Sequence, residues 1–186
     1  MLPAERASAA VAEELARCYS WGNHRSPHQD VLYSVQQLVE IATHALSPGI
    51  NEPFTALTCI DWLGASLRSA AAADMPSPHR HGQGGRLRVI SPTTSFDEIV
   101  RASFDQIRTY GCGNAMVVMH LLSTVAELAP HLRRAEDFDT LKVYVELIGA
   151  DAACRLGNAD DRARVEQARV QATARLITAR AHIGKS

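Results

Sequence analysis

Glu40 and His44 lie four residues apart in an apolar-periodic stretch, a spacing that sets a carboxylate and an imidazole on one helix face beside Tyr33 and Gln37. Such a pair can transfer protons or ligate a metal. No third ligand accompanies it, so a solvated helix face or an ordinary side-chain pair is the simpler reading, and no metal site is assigned. His79 and His81 share a loop rich in proline and glycine, which makes a weak metal site at best. A second set, Arg25, Asp30, Asp61 and Arg108, borders apolar helical patterns, where charged residues persist mainly when paired. These four read either as a salt-bridge network fixing the packing of the second, third and fourth helices, or with the two arginines as receptors for a phosphate or carboxylate. Asn51 and Thr55 form a third set, placed where a helix N-terminus presents free amides to a small anion. The alternative there is a sharp turn whose polar groups satisfy the backbone. The candidate ligand-binding residues are therefore Arg25, Asp30, Asn51, Thr55 and Arg108. No nucleophile elbow, phosphate loop, HExxH or dinucleotide fingerprint occurs, so no catalytic residue or cofactor is assigned.

These residues need a scaffold, and the composition describes it. The chain has 186 residues, 46% of them apolar, enough for a substantial core and within the size of one domain. Nineteen basic and twenty acidic residues nearly cancel, which argues against a nucleic-acid partner or an anionic membrane surface recruited by a global field. Seventeen of the cations are arginine and alanine is abundant, both good helix formers. The four cysteines, Cys18, Cys59, Cys112 and Cys154, are widely spaced and suit a reducing compartment, with Cys59 in a core pattern. Met1 to Ala12 does not combine a basic leader with a long apolar run. The longest strongly apolar run, Ala115 to Leu122, falls far short of the roughly 20 residues a membrane span needs. The expectation is a soluble, cytoplasmic chain.

Helical periodicity recurs from end to end. Val11, Leu15 and Cys18 mark a first helix within Pro3 to Cys18, closed by Trp21-Gly22. Ser26-Pro27-His28-Gln29 reads as a helix start, followed by an apolar stripe from Val31 to Leu46. That stripe stops at Ser47, because the following proline disfavours helical geometry there. The Ser47-Pro48-Gly49-Ile50-Asn51-Glu52-Pro53 elbow then leads into a third helix with Phe54, Leu57, Ile60, Leu63 and Leu67, which Asn51 is expected to cap with its polar side chain turned onto the backbone. Residues 74–94 form a long loop whose one candidate strand is Leu87 to Ile90. Ser95 and Glu98 make a capping box for a fourth helix reaching Gly111, and Asn114 caps a fifth that ends before Pro130. A sixth runs from about Glu136 to Leu156 and a seventh from about Asp160 to Ile183, the last with a narrow stripe of Val165, Ala168, Ala172, Leu176 and Ala179. The fold expected is all-α, a bundle of six to seven helices with one long loop that can hold a short hairpin. It reads as a single domain over 1–186, with helical halves of about 1–73 and 95–186 joined by the loop.

The Arg25 to Asp30 entry and the run QLVEIATHALSPGINEPFTA, followed by Asp61 and Leu63 and more loosely by FDQIRTY at Phe104 to Tyr110, resemble a family of bacterial membrane proteins called domain of unknown function 2254. The likeness covers about three quarters of the chain. Family members pair an N-terminal membrane region with a soluble C-terminal region of this type. The resemblance thus implies a soluble piece of a membrane-anchored design, with membrane association through the spanning region of relatives. It brings no activity, cofactor or catalytic residue. One departure is Glu52, where the family usually has aspartate. The function expected is a non-enzymatic cytosolic regulatory or assembly module. The alternative is a small-molecule enzyme, hydrolytic for instance, using Asp30, Glu40, His44 and Arg108, or an anion-binding sensor at the elbow. Narrow, alanine-rich stripes on the first and last helices leave apolar surface for a twofold partner, so a homodimer is expected, with a small anion as the candidate ligand.

Overall fold

A computed structural model describes residues 9–18 and 30–183. Seven α-helices appear among them: α1 (Ala9–Arg17), α2 (Val31–Ala45), α3 (Pro53–Ala72), α4 (Phe96–Gly111), α5 (Ala115–Leu128), α6 (Ala135–Arg155) and α7 (Ala159–Ile183). Between α3 and α4, strand β1 (His79–His81) pairs antiparallel with β2 (Leu87–Ile90), with an irregularity between Arg80 and His81. The all-α expectation holds, and the long loop carries the short hairpin it had room for. The Ser26 helix start and the Trp21-Gly22 stop lie outside the described residues.

Helices α2 and α3 form one antiparallel hairpin, α4 and α5 a second, and α6 and α7 a third. The three hairpins stack side by side in two layers. In one layer, Leu46 at the end of α2 meets Gly111 at the end of α4, while Phe96 and Arg134 adjoin where α4 and α6 begin, so α2, α4 and α6 run in the same direction. In the other, Asp61 meets His120, Gly64 meets Thr124 and Arg68 meets Glu127, so α3 and α5 run together in the opposite sense. Helix α7 continues that layer, its last turns beside the end of α5. A single apolar cluster runs through all six, from Val35 of α2 to Leu176 of α7. Helix α1 contributes nothing to it, since it buries none of its residues.

Local chemistry explains the boundaries. Ser95 Oγ accepts from the Glu98 amide at 3.2 Å and Glu98 Oε2 accepts from the Ser95 amide at 2.9 Å, which completes the expected capping box. Asn114 accepts from Met116 N at 3.0 Å and from Val117 N at 3.4 Å, as a cap for α5. Asn158 does the same for α7, accepting from Asp160 N at 2.8 Å. Asp30 caps α2 by accepting from Tyr33 N at 3.2 Å. Cys59 is buried, and burial pushes its thiol above the ordinary value.

The elbow departs from expectation. Asn51 is not the cap of α3. It adopts a left-handed backbone with φ of 49°, a conformation asparagine tolerates better than most residues, and Glu52 occupies the cap position without a side-chain bond. The turn closes through the backbone instead: Asn51 N donates to Ser47 O at 2.9 Å, Ile50 N to Ser47 O at 3.1 Å, and Glu52 N to Ala45 O at 2.8 Å. Ile50, Asn51 and Glu52 are exposed rather than turned inward.

The α3–α5 contact is tight at Gly64, where an added Cβ would sit 2.7 Å from Thr124 Cγ2. Gly64→Ala should lower stability, because overpacking of about 1–3 kcal/mol exceeds the roughly 1 kcal/mol that alanine gains over glycine within a helix. Chemical denaturation should show a lower midpoint for Gly64→Ala and partial recovery on adding Thr124→Ser, which removes the obstructing methyl group. Equal midpoints for Gly64→Ala and the natural chain would show that α3 can shift away from α5 freely.

Candidate functional site

Polar side chains gather in a groove of about 570 Å³ between α4 and α6, two helices that pack closely only at intervals. Arg108, on the last turn of α4, lines it and is mostly buried. Its guanidinium bonds Asp151 of α6 and lies 3.7 Å from Asp105 one turn earlier on α4. Its Nε is buried and has no hydrogen-bond partner among the described residues. Tyr144 of α6 donates its hydroxyl to Asp105 at 2.9 Å and stands edge-on to Phe104, with ring centroids 6.3 Å apart. Burial, reinforced by the hydrogen bond to Asp105, raises the phenol well above its ordinary value, so Tyr144 stays neutral and acts as a donor. Asp97, Glu136 and Asp139 complete an acid-rich wall, in which Asp97 is paired with Arg101 and Asp139 with Arg180. An anion at Arg108 would have to displace a carboxylate, whereas a cationic or hydrogen-bond-donating group finds acceptors ready.

The four candidate ligand residues that are described do not gather in one site. Arg25 lies outside the described residues. Asp30 caps α2 at the end where α4 begins, which α2's length places on the order of 20 Å along the axis from Arg108. Asn51, Thr55 and Arg108 belong to the opposite end of the stack, yet among the described residues no hydrogen bond or ion pair joins them, and both arms of the Arg108 guanidinium are directed at carboxylates. Asp61 pairs with His120 Nε2 at 2.7 Å across α3 and α5. Among the described residues, Arg108 links α4 to α6 through Asp151, and Asp61 links α3 to α5 through His120. Glu40 borders a separate groove between α2 and α4, and both Glu40 and His44 are exposed. Among the described residues no group of three acidic, histidine or cysteine side chains could hold a metal ion.

A cluster not singled out from the sequence sits at the other end. Arg134 donates to Ala73 O at 2.7 Å and to Ala70 O at 3.5 Å, reaching the free carbonyls at the end of α3. It lies over the Phe96 ring, 5.8 Å from the centroid, and pairs with Asp137 at 2.7 Å. That approach is an ion pair rather than an aligned hydrogen bond, since Asp137 Oδ2 is otherwise unbonded. Asp137 is 2% exposed. Burial raises its carboxyl above the usual value despite Arg134, with Glu136 adding to the rise.

The profile described as "Predicted membrane protein (DUF2254)" matches residues 1–127. The chain belongs to this family. Uncharacterized proteins of Mycobacterium bovis and of two Mycobacterium tuberculosis strains are each 29% identical to this family member over 152 residues, 82% of the chain and 29% of the relative. The chain therefore spans less than a third of the length of these curated relatives. No solved structure matches it. Among the described residues no helix is long and apolar enough to cross a membrane.

Two outcomes follow from the site. Because Arg108 and Asp151 share an ion pair across α4 and α6, a double-mutant cycle with Arg108→Gln and Asp151→Asn should give a coupling of about 1–3 kcal/mol in chemical denaturation, and additivity would show that the pair contributes nothing. For Asp137 the folded-state pKa is raised, so the folded chain holds its proton more tightly and stability falls as pH rises through that value. As pH rises from about 4, the ordinary aspartate value, through the raised folded-state value, the natural chain should lose stability relative to Asp137→Asn, which cannot ionise. A pH-independent difference would mean that Arg134 fully offsets the burial.

Proposed function

We propose that this chain is a non-enzymatic assembly module on the cytosolic side of a membrane-associated protein, its stacked helical hairpins presenting a surface on which a second copy docks. The observation carrying this reading is the outward face of α3, where Phe54 is 70% and Trp62 is 63% exposed. With exposed Thr58 between them they stand at spacings of four, forming one stripe, and Ile50 at the elbow is exposed close by in sequence. Two large aromatic side chains on one stripe resemble the anchors that dominate protein interfaces. Membership of a family described as predicted membrane proteins supports the membrane association. Exposed Leu15 on α1, and Val170 and Ile177 on α7, offer further apolar surface.

The enzymatic alternative receives less support, because its residues are dispersed. Glu40 borders the α2–α4 groove, Arg108 the α4–α6 groove, and Asp30 caps the far end of α2.

Light scattering at tens of micromolar protein should give a mass near twice 20.2 kDa, and Phe54→Ser with Trp62→Ser should return it to 20.2 kDa with an unchanged helical circular dichroism spectrum. A natural chain at 20.2 kDa defeats the homodimer. A dimer that survives both substitutions moves the interface off α3.

A further inference from the structure

We propose that a second groove, between the α5–α6 connection and the last turns of α7, binds a single-chain amphiphile with an anionic head. After Leu128 the chain turns through one tight 3-10 turn, Ala129–His131, whose Pro130 cannot continue the α5 hydrogen-bond ladder. The backbone leaves α7 at that point while α7 continues to Ile183, and a trough of about 930 Å³ opens between them. Small or aliphatic side chains line it, with Ala126, Ala129 and Leu132 on one side and Ala174, Ala179 and Ile183 on the other. Among the described residues no phenylalanine, tyrosine or tryptophan lines it, so an alkyl chain can lie against the walls.

Its rim is cationic. Arg133 and Arg175 border the trough together with His182. Neither arginine makes an ion pair among the described residues, whereas on the same helix Arg169 is held by Glu146 and Glu166 and Arg180 by Asp139. The one acid on the rim, Glu127, is already engaged by Arg68 at 3.7 Å and by Ser123 at 3.5 Å. Apolar trough and uncompensated guanidinium groups lie side by side, and the complementary molecule is an alkyl chain ending in a carboxylate or phosphate. A guanidinium at the mouth fixes the head while the tail replaces water along the alanine walls. None of the residues lining this groove belongs to the Phe54–Trp62 stripe.

The test uses the full 186-residue chain and sub-micellar alkyl carboxylates, read by isothermal titration calorimetry. Decanoate should bind saturably, and lengthening the chain from octanoate to decanoate should tighten binding about tenfold, the increment for two buried methylenes. Arg133→Gln with Arg175→Gln, both at exposed positions, should weaken decanoate about tenfold and leave decanol unchanged. Ala174→Trp, also at an exposed position, should fill the trough and abolish binding of both ligands while the circular dichroism spectrum stays the same. The proposal is overturned by any of four results: no saturable decanoate binding, equal affinity in the double arginine variant, undiminished binding to Ala174→Trp, or loss of self-association in Ala174→Trp, which would make a second copy the occupant. Sedimentation with anionic phospholipid vesicles without binding of monomeric decanoate would also overturn it, in favour of a membrane-facing surface.

Discussion

Everything in this molecule is arranged around the need to enclose α5. Val117, Val118, Leu121, Leu122, Val125 and Leu128 are all buried and share one broad face of the helix, while Met116, Ser123 and Glu127 stay exposed on the other side. A helix with so broad an apolar face finds a stable position only when packed against several others. Helices α3, α4, α6 and α7 all touch it, and α2 closes the space between α3 and α4. Even its hydroxyl complies, since Thr124 bonds back to His120 O at 2.9 Å and so buries no free donor. The glycine at position 64 belongs to the same requirement, because only a residue without a side chain lets α3 come so near.

Charges then serve the packing from its margins. Arg134 ties the end of α3 to the start of α6, Arg108 ties α4 to the end of α6, Arg169 ties α6 to α7, and the Asp61–His120 pair spans α3 and α5. Pairs this exposed each stabilise little, on the order of 1 kcal/mol or less, while the two that approach burial, at Arg108 and Arg134, carry more consequence if broken. Their common effect is registry: a cation on one helix and an acid on the next allow only one axial offset between helices whose apolar contacts would tolerate several.

How much of this could be read beforehand depends on the range of the interaction. The Ser95–Glu98 box and the Asn114 cap are local, made within three residues, and both were legible from residue types alone. The helices themselves were legible because their apolar stripes repeat in sequence. Arg108 was recognised as a charge in need of a partner, but Asp151 is 43 residues away and nothing in the sequence marks it. The same holds for Asp61 and His120, separated by 59. At the elbow the error had a different source. Asn51 is a good cap and also a good left-handed residue, and the sequence does not decide between the two; the backbone geometry of Pro48 to Glu52 takes the second use. Arg134 and Asp137 did carry a local signal, an arginine and an aspartate three apart at a helix start, whereas the burial of Asp137 arises only when α3 and Phe96 close over it. The apolar trough depends on the angle at which α7 passes the end of α5, and that angle has no expression in periodicity.

The alternation of the six stacked helices has an electrostatic consequence. Each peptide dipole points along its helix axis, giving about half a positive charge at the N-terminus and half a negative one at the C-terminus. With α2, α4 and α6 running one way and α3, α5 and α7 the other, each end of the stack presents three half-charges of each sign, interleaved at helix spacing. Beyond roughly 10 Å, about a Debye length in ordinary salt, these contributions cancel and are screened, so neither end acts as a long-range lens for ions. With a formal net charge of −1, the chain has no overall field to add. Any ligand this molecule selects must therefore be recognised at contact distance, by the shape and the few unpaired charges of the groove it enters, and its association rate should change little between low and physiological salt.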